Sequence, residues 1–580
     1  MNPSGPIRRQ KPPTSEPAGQ RAALISPTTA VIAALCLMTV VFAVYWSSLE
    51  FQFILDDHRF VNDPRVQSSG HVWDYFANYV WAQFTGGPSS FYRPVFVLWM
   101  RVNFVLNELS PWGWHLLSIV NHSVVALLLG LLAWKLLRDR VAALLAATLF
   151  ALHPAQTESV AWVTVPDPLM SIAILGALLL YLRYADGFSG GARGRGKKSG
   201  KAAQMKRTQS QVWWLIASAS AALVALLAKE TAIVLPAVIF VLALYVPRGE
   251  FALTSAVKDS DASLRTRVIY TLRQIAPFVV VTVIYFLLRF HALGGKLGAL
   301  TQYLPWSTVV LSWPATLWFY AKVLLWPVRS RAFADPTLAE RFSVGGVLLP
   351  GLAVLFIAAV LGGGLFWAWK KARHSVPNDE VAGIQYALIN GTVLLVLPIL
   401  LALNLNALNP GDFLHGRYTY LPLAGLTLLV ATGWHLSGRL QIPLLGVAVV
   451  IAVVFAGLTV SQEGMWKDDL TVFTVAHQLA PNNGPVARNL ANAHVQGALH
   501  LADDGRCSEA MPIFEEVTQQ YPQEWYAWAG IGECAVQLND LPRAEEALHR
   551  AADLSHQPRV IQQWQELREH MGLASSVPSQ

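Results

Sequence analysis

The amino-acid sequence predicts an all-α fold: a polytopic helical bundle in a membrane, followed by a short helical repeat array outside it. Three observations carry that reading. The 580-residue chain is 54% hydrophobic and only 14% charged, where a soluble chain carries about 25% charged residues. Long apolar runs alternate with loops in which basic residues cluster, as cytoplasmic loops do under the positive-inside rule. After about Ser461 the chain turns polar and helical and carries an internal repeat. The net charge of +7 resides in those loops. It calls for a lipid bilayer as partner and not for nucleic acid.

The elements follow in order. Residues 1–27 are rich in Pro, Ser, Arg and Gln (Arg8, Arg9, Lys11, Arg21) and read as a disordered, basic cytoplasmic tail. The apolar run Thr28–Leu49 is too long for a cleaved signal segment and lacks a small-residue cleavage site, so it reads as the first span of a membrane domain over 28–460. Residues 50–111 are too polar to cross and read as a large extracytoplasmic loop with interfacial helices. Spans are expected at Trp112–Leu137, Val141–Leu152, Leu169–Tyr184, Val212–Ala228, Thr231–Val246 and Gln274–Phe290. The basic stretches Lys135–Arg140, Arg193–Arg207 and Arg248–Arg273 mark the cytoplasmic side.

Parity then becomes informative. The run Val344–Trp369 ends in Lys370-Lys371-Ala372-Arg373, which places that end inside, whereas the Gln274–Phe290 span already ends outside. The apolar stretch Trp306–Val328 between them therefore does not cross, and segment 306–343 is expected to be re-entrant or interfacial, as its Trp, Pro and Tyr content suits. Spans at Ala382–Leu403, Tyr418–Trp434 and Ile442–Leu458 bring the total to about eleven, with the C-terminus outside.

Residues 461–580 form the array. Trp528-x2-Ile531-Gly532-x2-Ala535, then Ala544-x3-Leu548-x2-Ala551, keep the tetratricopeptide spacing, and Ala510-x3-Phe514 with Pro522 repeats its second half one period earlier. Small residues let helix pairs approach and large ones fill the groove between pairs. Roughly two to three repeats result, the first irregular with an insertion near Leu501–Gly505. Cys36 lies in the first apolar run and is expected in the core. Cys507 and Cys534 can form a disulfide if the array is extracytoplasmic, a point the sequence leaves open.

The polar residues in unusual places map to one side: Asp56, Asp57, Arg93, His153, Glu158, Lys229, Glu230, His415 and Arg417. Adjacent carboxylates repel each other where the hydrocarbon boundary already penalises charge. They make sense if they handle protons or a substrate. Each residue also has a structural reading. Asp is favoured at helix N-caps, Arg417 can be a snorkelling anchor, His153 and Glu158 can satisfy backbone groups around Pro154, and Lys229 can pair with Glu230. No His/Cys cluster has metal-ligand spacing, so no structural metal is expected. A loosely held divalent ion near the Asp pair stays open.

The blocks Leu55-Asp56-Asp57-His58, Tyr92-Arg93-Pro94, Asn103, Pro111-Trp112-Gly113-Trp114-His115-Leu116, Asn121-His122, His153-Pro154-Ala155-Gln156-Thr157-Glu158-Ser159-Val160-Ala161, Ala228-Lys229-Glu230 and Gly416-Arg417-Tyr418-Thr419-Tyr420-Leu421-Pro422 occur in that order. With the repeats, this pattern resembles the GT-C class of membrane glycosyltransferases. More closely, it is similar to the transmembrane and tetratricopeptide-repeat O-mannosyltransferases and their bacterial relatives. The chain departs from them at Gly416-Arg417, where relatives often have Glu-Arg, and in its short array.

The resemblance implies a GT-C-like bundle and a polyprenyl-phosphate sugar donor, with mannose as the sugar and protein Ser/Thr as the acceptor, outside the membrane. No other cofactor is implied. One of Asp56 and Asp57 is the implied base, Asp56 by family position. Arg417, then Arg93, is implied on the lipid phosphate. Lys229, Glu230, His415, His153 and Glu158 complete the donor-binding set, and the array recruits a protein acceptor. The alternatives are transfer to a glycolipid or polysaccharide, a non-enzymatic repeat scaffold, or a transporter of lipid-linked sugar. A transporter would show broken helices in two related halves. The Ala/Gly/Arg-rich, Cys-poor composition favours a bacterial inner membrane and leaves the endoplasmic reticulum open.

Overall fold

The structure, a computed structural model, describes residues 27–82, 91–193, 201–245, 264–296, 304–328, 338–376, 378–408 and 414–573. The expected tail, up to residue 26, lies outside the described residues, as do 194–200 of the basic Gly-rich stretch and 329–337 of the segment after Val328. Among the described residues the fold is all-α, with no strand. The bundle comprises α1 (Pro27–Val44), α2 (Pro94–Asn107), α3 (Pro111–Leu137), α4 (Arg140–Ala151), α5 (Asp167–Arg193), α6 (Lys201–Ala228), α7 (Val234–Tyr245), α8 (Leu264–Ala292), α9 (Trp306–Leu325), α10 (Leu349–Ser375), α11 (Asn378–Leu401), α12 (Tyr420–Leu436) and α13 (Gln441–Glu463). The array follows as α14 (Asp469–Leu479), α15 (Gly484–Asp503), α16 (Cys507–Gln520), α17 (Trp525–Gln537), α18 (Leu541–Ser555) and α19 (Pro558–His570).

The chain is an integral membrane protein: among the described residues, 8 helices are long and apolar enough to cross a membrane, in α3, α5, α6, α8, α9, α10, α11 and α13. The helices start and stop where local chemistry directs. Pro111 opens α3, where an amide hydrogen would have no partner. Arg138 ends it in a left-handed cap at φ +53°. The Asp139 carboxylate then caps α4 by accepting from the Val141 and Ala142 amides. Small residues set the closest crossing. A Cβ on Gly425 of α12 would lie 2.5 Å from the Gly391 carbonyl of α11, so these two backbones meet as small-residue membrane interfaces do.

The bundle has two unlike ends. One carries the Asp56–Asp57 loop and gathers the last turns of α1, α4, α6, α8, α11 and α13 with the first turns of α3, α5, α7, α10 and α12. The other carries the basic stretches at Lys135–Arg140 and Lys370–Arg373. Helix α9 departs from this alternation. Just before it, the Leu304 amide donates to Asn406 Oδ1 at 2.7 Å. Within it, Trp313 Nε1 donates to the Leu403 carbonyl at 3.0 Å. At its end, His153 Nε2 donates to the Leu324 carbonyl at 3.1 Å. Its beginning, middle and end are all tied to segments at the same end of the bundle, although its 20 residues are enough to cross a membrane.

The polar segment after α1 folds by burying an ion pair. Arg65 and Asp63 meet at 2.6 Å with side chains 1% exposed, and the guanidinium also donates to the Tyr79 and Val80 carbonyls. Phe60, Val66, Tyr75, Phe96 and Trp114 pack around this segment.

One sequence expectation is corrected: Cys36 is exposed, because α1 lies at the bundle margin and turns this face outward. The irregularity near Leu501–Gly505 takes the form of a longer helix. Helix α15 runs 20 residues to Asp503, and Gly505 makes the turn at φ +77°. The array's spacing has the expected steric cause, since a Cβ on Gly532 would lie 2.5 Å from Leu548. Cys507 and Cys534 are joined by a disulfide between α16 and α17.

Candidate active site

One short connection organises the polar end. The segment Glu158–Asp167, between α4 and α5, supplies partners to Asp57, Lys229, His415 and Arg417. Glu158 Oε1 meets His415 Nδ1 at 2.8 Å and accepts from Arg417 Nη1 at 3.1 Å, while Oε2 accepts from the Arg417 amide at 3.1 Å. Trp162 lies under the Arg417 guanidinium, 4.6 Å from ring centre to Cζ, and stacks on Trp466. Thr164 holds Asp57. Asp167, the first residue of α5, takes the Lys229 ammonium at 2.7 and 2.6 Å.

The two adjacent carboxylates are not equivalent. Asp57 is fully buried, and three donors converge on it. Thr164 donates through Oγ1 at 2.6 Å and through its amide at 3.2 Å, and the Ile54 amide donates at 3.0 Å. Burial outweighs these donors and pushes the carboxyl up to about 7. Asp57 is thus a staple between two loops. Asp56 is half-buried and precedes the helical turn Asp57–Val61, yet its side chain makes no capping hydrogen bond, so the N-cap explanation does not account for it. Leu55 before it holds φ +53°, a left-handed conformation costly for a residue with a Cβ.

The cations are likewise distinct. Arg93 is taken bidentately by Glu230, at 2.8 and 2.5 Å, and the guanidinium holds the Glu230 carboxyl down to about 2 despite burial. Lys229 is 4% exposed and spans both Asp167 oxygens. Burial lowers its pKa against the pull of Asp167, and the nearby Arg93 and Arg417 charges lower it further. Lys229 and Glu230 therefore do not pair with each other. Arg417 shares Glu158 with His415, keeps its side chain 15% exposed, and is held by an aromatic face and a carboxylate. Glu158 ionises below the usual carboxylate range, because His415 and Arg417 outweigh the cost of burial.

All nine residues singled out from the sequence lie at this end, but their parts differ. His153 makes the backbone contacts that the structural reading assigns it: Nδ1 accepts from the Ala155 amide at 3.2 Å and Nε2 donates to Leu324. His415 is fully buried against Glu158. Asp167, Trp162 and Thr164 were not foreseen. The only signal for Asp167 was a carboxylate between two prolines, Pro166-Asp167-Pro168, at the start of a span. Among the described residues, no three His, Cys, Asp or Glu side chains are grouped to hold a metal ion.

Fold and site together define the class: a polytopic helical membrane protein with a buried charge network at one end and a repeat array joined to it. The tetratricopeptide repeat family model matches residues 501–562. The chain is 26% identical over 552 residues to protein O-mannosyl-transferase TMTC3 of Mus musculus, covering 90% of this chain and 55% of that protein. It is 24% identical to TMTC1 of Mus musculus, covering 84% and 58%, and 33% identical over 202 residues to Tmtc2 of Drosophila melanogaster, covering 34% and 20%. The chain thus spans about half the length of the first two relatives or less of the third. Among solved structures it is similar to ArnT from Cupriavidus metallidurans bound to undecaprenyl phosphate, with TM-score 0.40, 16% identity, and 93% and 81% of the two chains covered. It is also similar to the apo Archaeoglobus fulgidus oligosaccharyltransferase, with TM-score 0.41, 12% identity, and 80% and 60% covered. At these scores the superpositions are too loose to transfer chemistry.

Proposed function

We propose that this chain is an integral-membrane glycosyltransferase of the GT-C kind. It moves a sugar, mannose in the first instance, from a polyprenyl phosphate to Ser or Thr of a protein outside the cytoplasm. The observation that carries the reading is the Glu158–Asp167 connection, which holds a half-exposed carboxylate loop and a partly exposed arginine in one network. The names of the relatives supply the reaction class.

The chemistry assigns the roles. Asp56 takes the proton of the acceptor hydroxyl, which needs an accessible carboxylate within hydrogen-bond reach. The acceptor oxygen bonds to the anomeric carbon, the bond to phosphate breaks, and its electron pair leaves on the lipid phosphate. Arg417 meets that charge with a permanently charged planar fork. Asp57, Glu158, His415, Asp167 and Lys229 position these two. Arg93 is less suited to the phosphate, because Glu230 already occupies its fork.

Two features support an extracytoplasmic site. The opposite end carries the basic stretches that mark the cytoplasmic side, and a disulfide in the array suits an oxidising compartment. In this reading helices α2 and α9 lie along the membrane surface, and the other apolar helices of the bundle cross.

The test uses purified protein in nanodiscs with radiolabelled polyprenyl-phosphate mannose and a secreted-protein fraction, comparing wild type with Asp56→Asn at matched folding. Transfer should fall about 10²–10⁴-fold, the usual weight of a general base. Undiminished transfer would remove Asp56 from the role. No transfer by wild type from any of a panel of lipid-linked sugars would sink the enzyme and favour the scaffold.

A further inference from the structure

The repeat array meets the Asp56–Asp57 loop of the candidate active site through Asp469. After α13 the chain turns through Gly464–Trp466 into α14. Asp468 caps that helix by accepting from the Thr471 amide at 2.8 Å. Asp469, next to it, is not needed for the cap and turns the other way. Its Oδ1 accepts from the Leu55 amide at 2.8 Å, and its Oδ2 meets His58 Nε2 at 2.9 Å. The Gln52 amide donates to the Lys467 carbonyl at 2.9 Å alongside. Beneath these bonds Phe51, Ile54, Trp162, Trp466, Val472 and Phe473 form one apolar cluster shared by the loop, the Glu158–Asp167 connection and α14.

The position of the clasp is telling. Leu55 has the left-handed backbone, at φ +53°, that a leucine does not hold without support. Asp56 is the next residue. A two-pronged carboxylate brackets it, bonding the amide before it and the imidazole two residues after it. The side chain that brackets Asp56 thus comes from the first helix of the array, 414 residues from Leu55 in sequence. The Asp469 attraction also raises the His58 pKa, so the pair is tightest with the imidazole charged.

We propose that Asp469 is a positioning residue that holds the strained Leu55 turn and so aims Asp56, making the carboxylate geometry depend on how the array is docked. This rests on the reading of Asp56 as the base. Asp469 touches no substrate. It acts through the loop, so its loss lowers turnover and leaves donor binding alone.

Two measurements on the full chain in nanodiscs test this: hydrogen exchange of the 52–60 amides, and steady-state transfer from polyprenyl-phosphate mannose. Asp469→Ala should speed exchange in that segment at least tenfold and lower kcat at least tenfold with an unchanged donor KM. Asp469→Asn keeps the Oδ1 acceptor for Leu55 and should restore most of both. Val472→Ala loosens the same apolar cluster without touching the clasp and should leave kcat near wild type. Exchange and kcat unchanged in Asp469→Ala would overturn the proposal, as would an equal kcat loss in Val472→Ala. If wild type transfers nothing, the enzymatic reading fails, and exchange still decides whether Asp469 holds the loop.

Discussion

The two ends of the bundle use charge in opposite ways. At the basic end, Arg138, Arg140, Lys370 and Arg373 are exposed, and the pair described there, His435 with Asp139 at 2.8 Å, keeps about a fifth of each side chain in contact with solvent at 18% and 21%. At the other end, the side chains of Lys229 and Asp167 are each 5% exposed, and those of His415 and Glu158 are 0% and 4% exposed. Exposed charge costs little and suffices to orient a membrane protein. Buried pairs are another matter, because removing two ions from water offsets most or all of their attraction. Such pairs are therefore poor devices for stability. Their concentration at one end points to geometry that has to be held.

The sharpest way to break that comparison is Lys229→Met. It leaves Asp167 buried without its partner and should cost about 3–5 kcal/mol of stability, read as a lowered unfolding temperature. The double variant Lys229→Met with Asp167→Leu should recover most of that stability but not transfer activity. Recovery of both would mean the pair is only structural. Arg417→Ala comes next, with an expected loss of about 10²–10³-fold in kcat/KM, the usual weight of a donor aimed at developing charge. Arg417→Lys should recover only part, because a point charge does not replace a fork.

A smaller effect is expected at Asp57 and should depend on pH. Its folded pKa, about 7, lies above the unfolded carboxylate value near 4, so the folded state binds the proton more tightly. The stabilisation is complete below about pH 4 and is lost as pH rises through about 7. Wild type should lose thermal stability between pH 5 and 8 relative to Asp57→Asn, and parallel curves would contradict the burial argument. The smallest effect is His435→Ala at the basic end, under about 1 kcal/mol and without change in transfer. A large loss there would erase the contrast between the two ends.

Much of this was open to reading along the chain. The apolar runs and the basic loops between them are local properties of composition and length. The repeat spacing, with Gly532 against Leu548, is local as well. The nine polar residues stood out because ionisable groups beside hydrocarbon are costly. Their roles were not legible. Asp56 and Asp57 are neighbours of one type, and only the fold buries one against Thr164 and leaves the other half-exposed. Lys229 and Glu230 invited a local pairing, yet their partners lie 62 and 137 residues away.

What the sequence alone determined, then, is which segments are helical, which are apolar enough for a membrane, and which side chains are too polar for their surroundings. Periodicity and transfer free energy act within a few residues and can be read there. The tertiary structure alone decided which charge meets which, that Asp167, Trp162 and Thr164 join the site, and that Asp469 reaches it from the array. Those outcomes depend on loops from helices distant in sequence meeting at one end of a bundle, where a few tenths of an ångström and the exclusion of water set each partner.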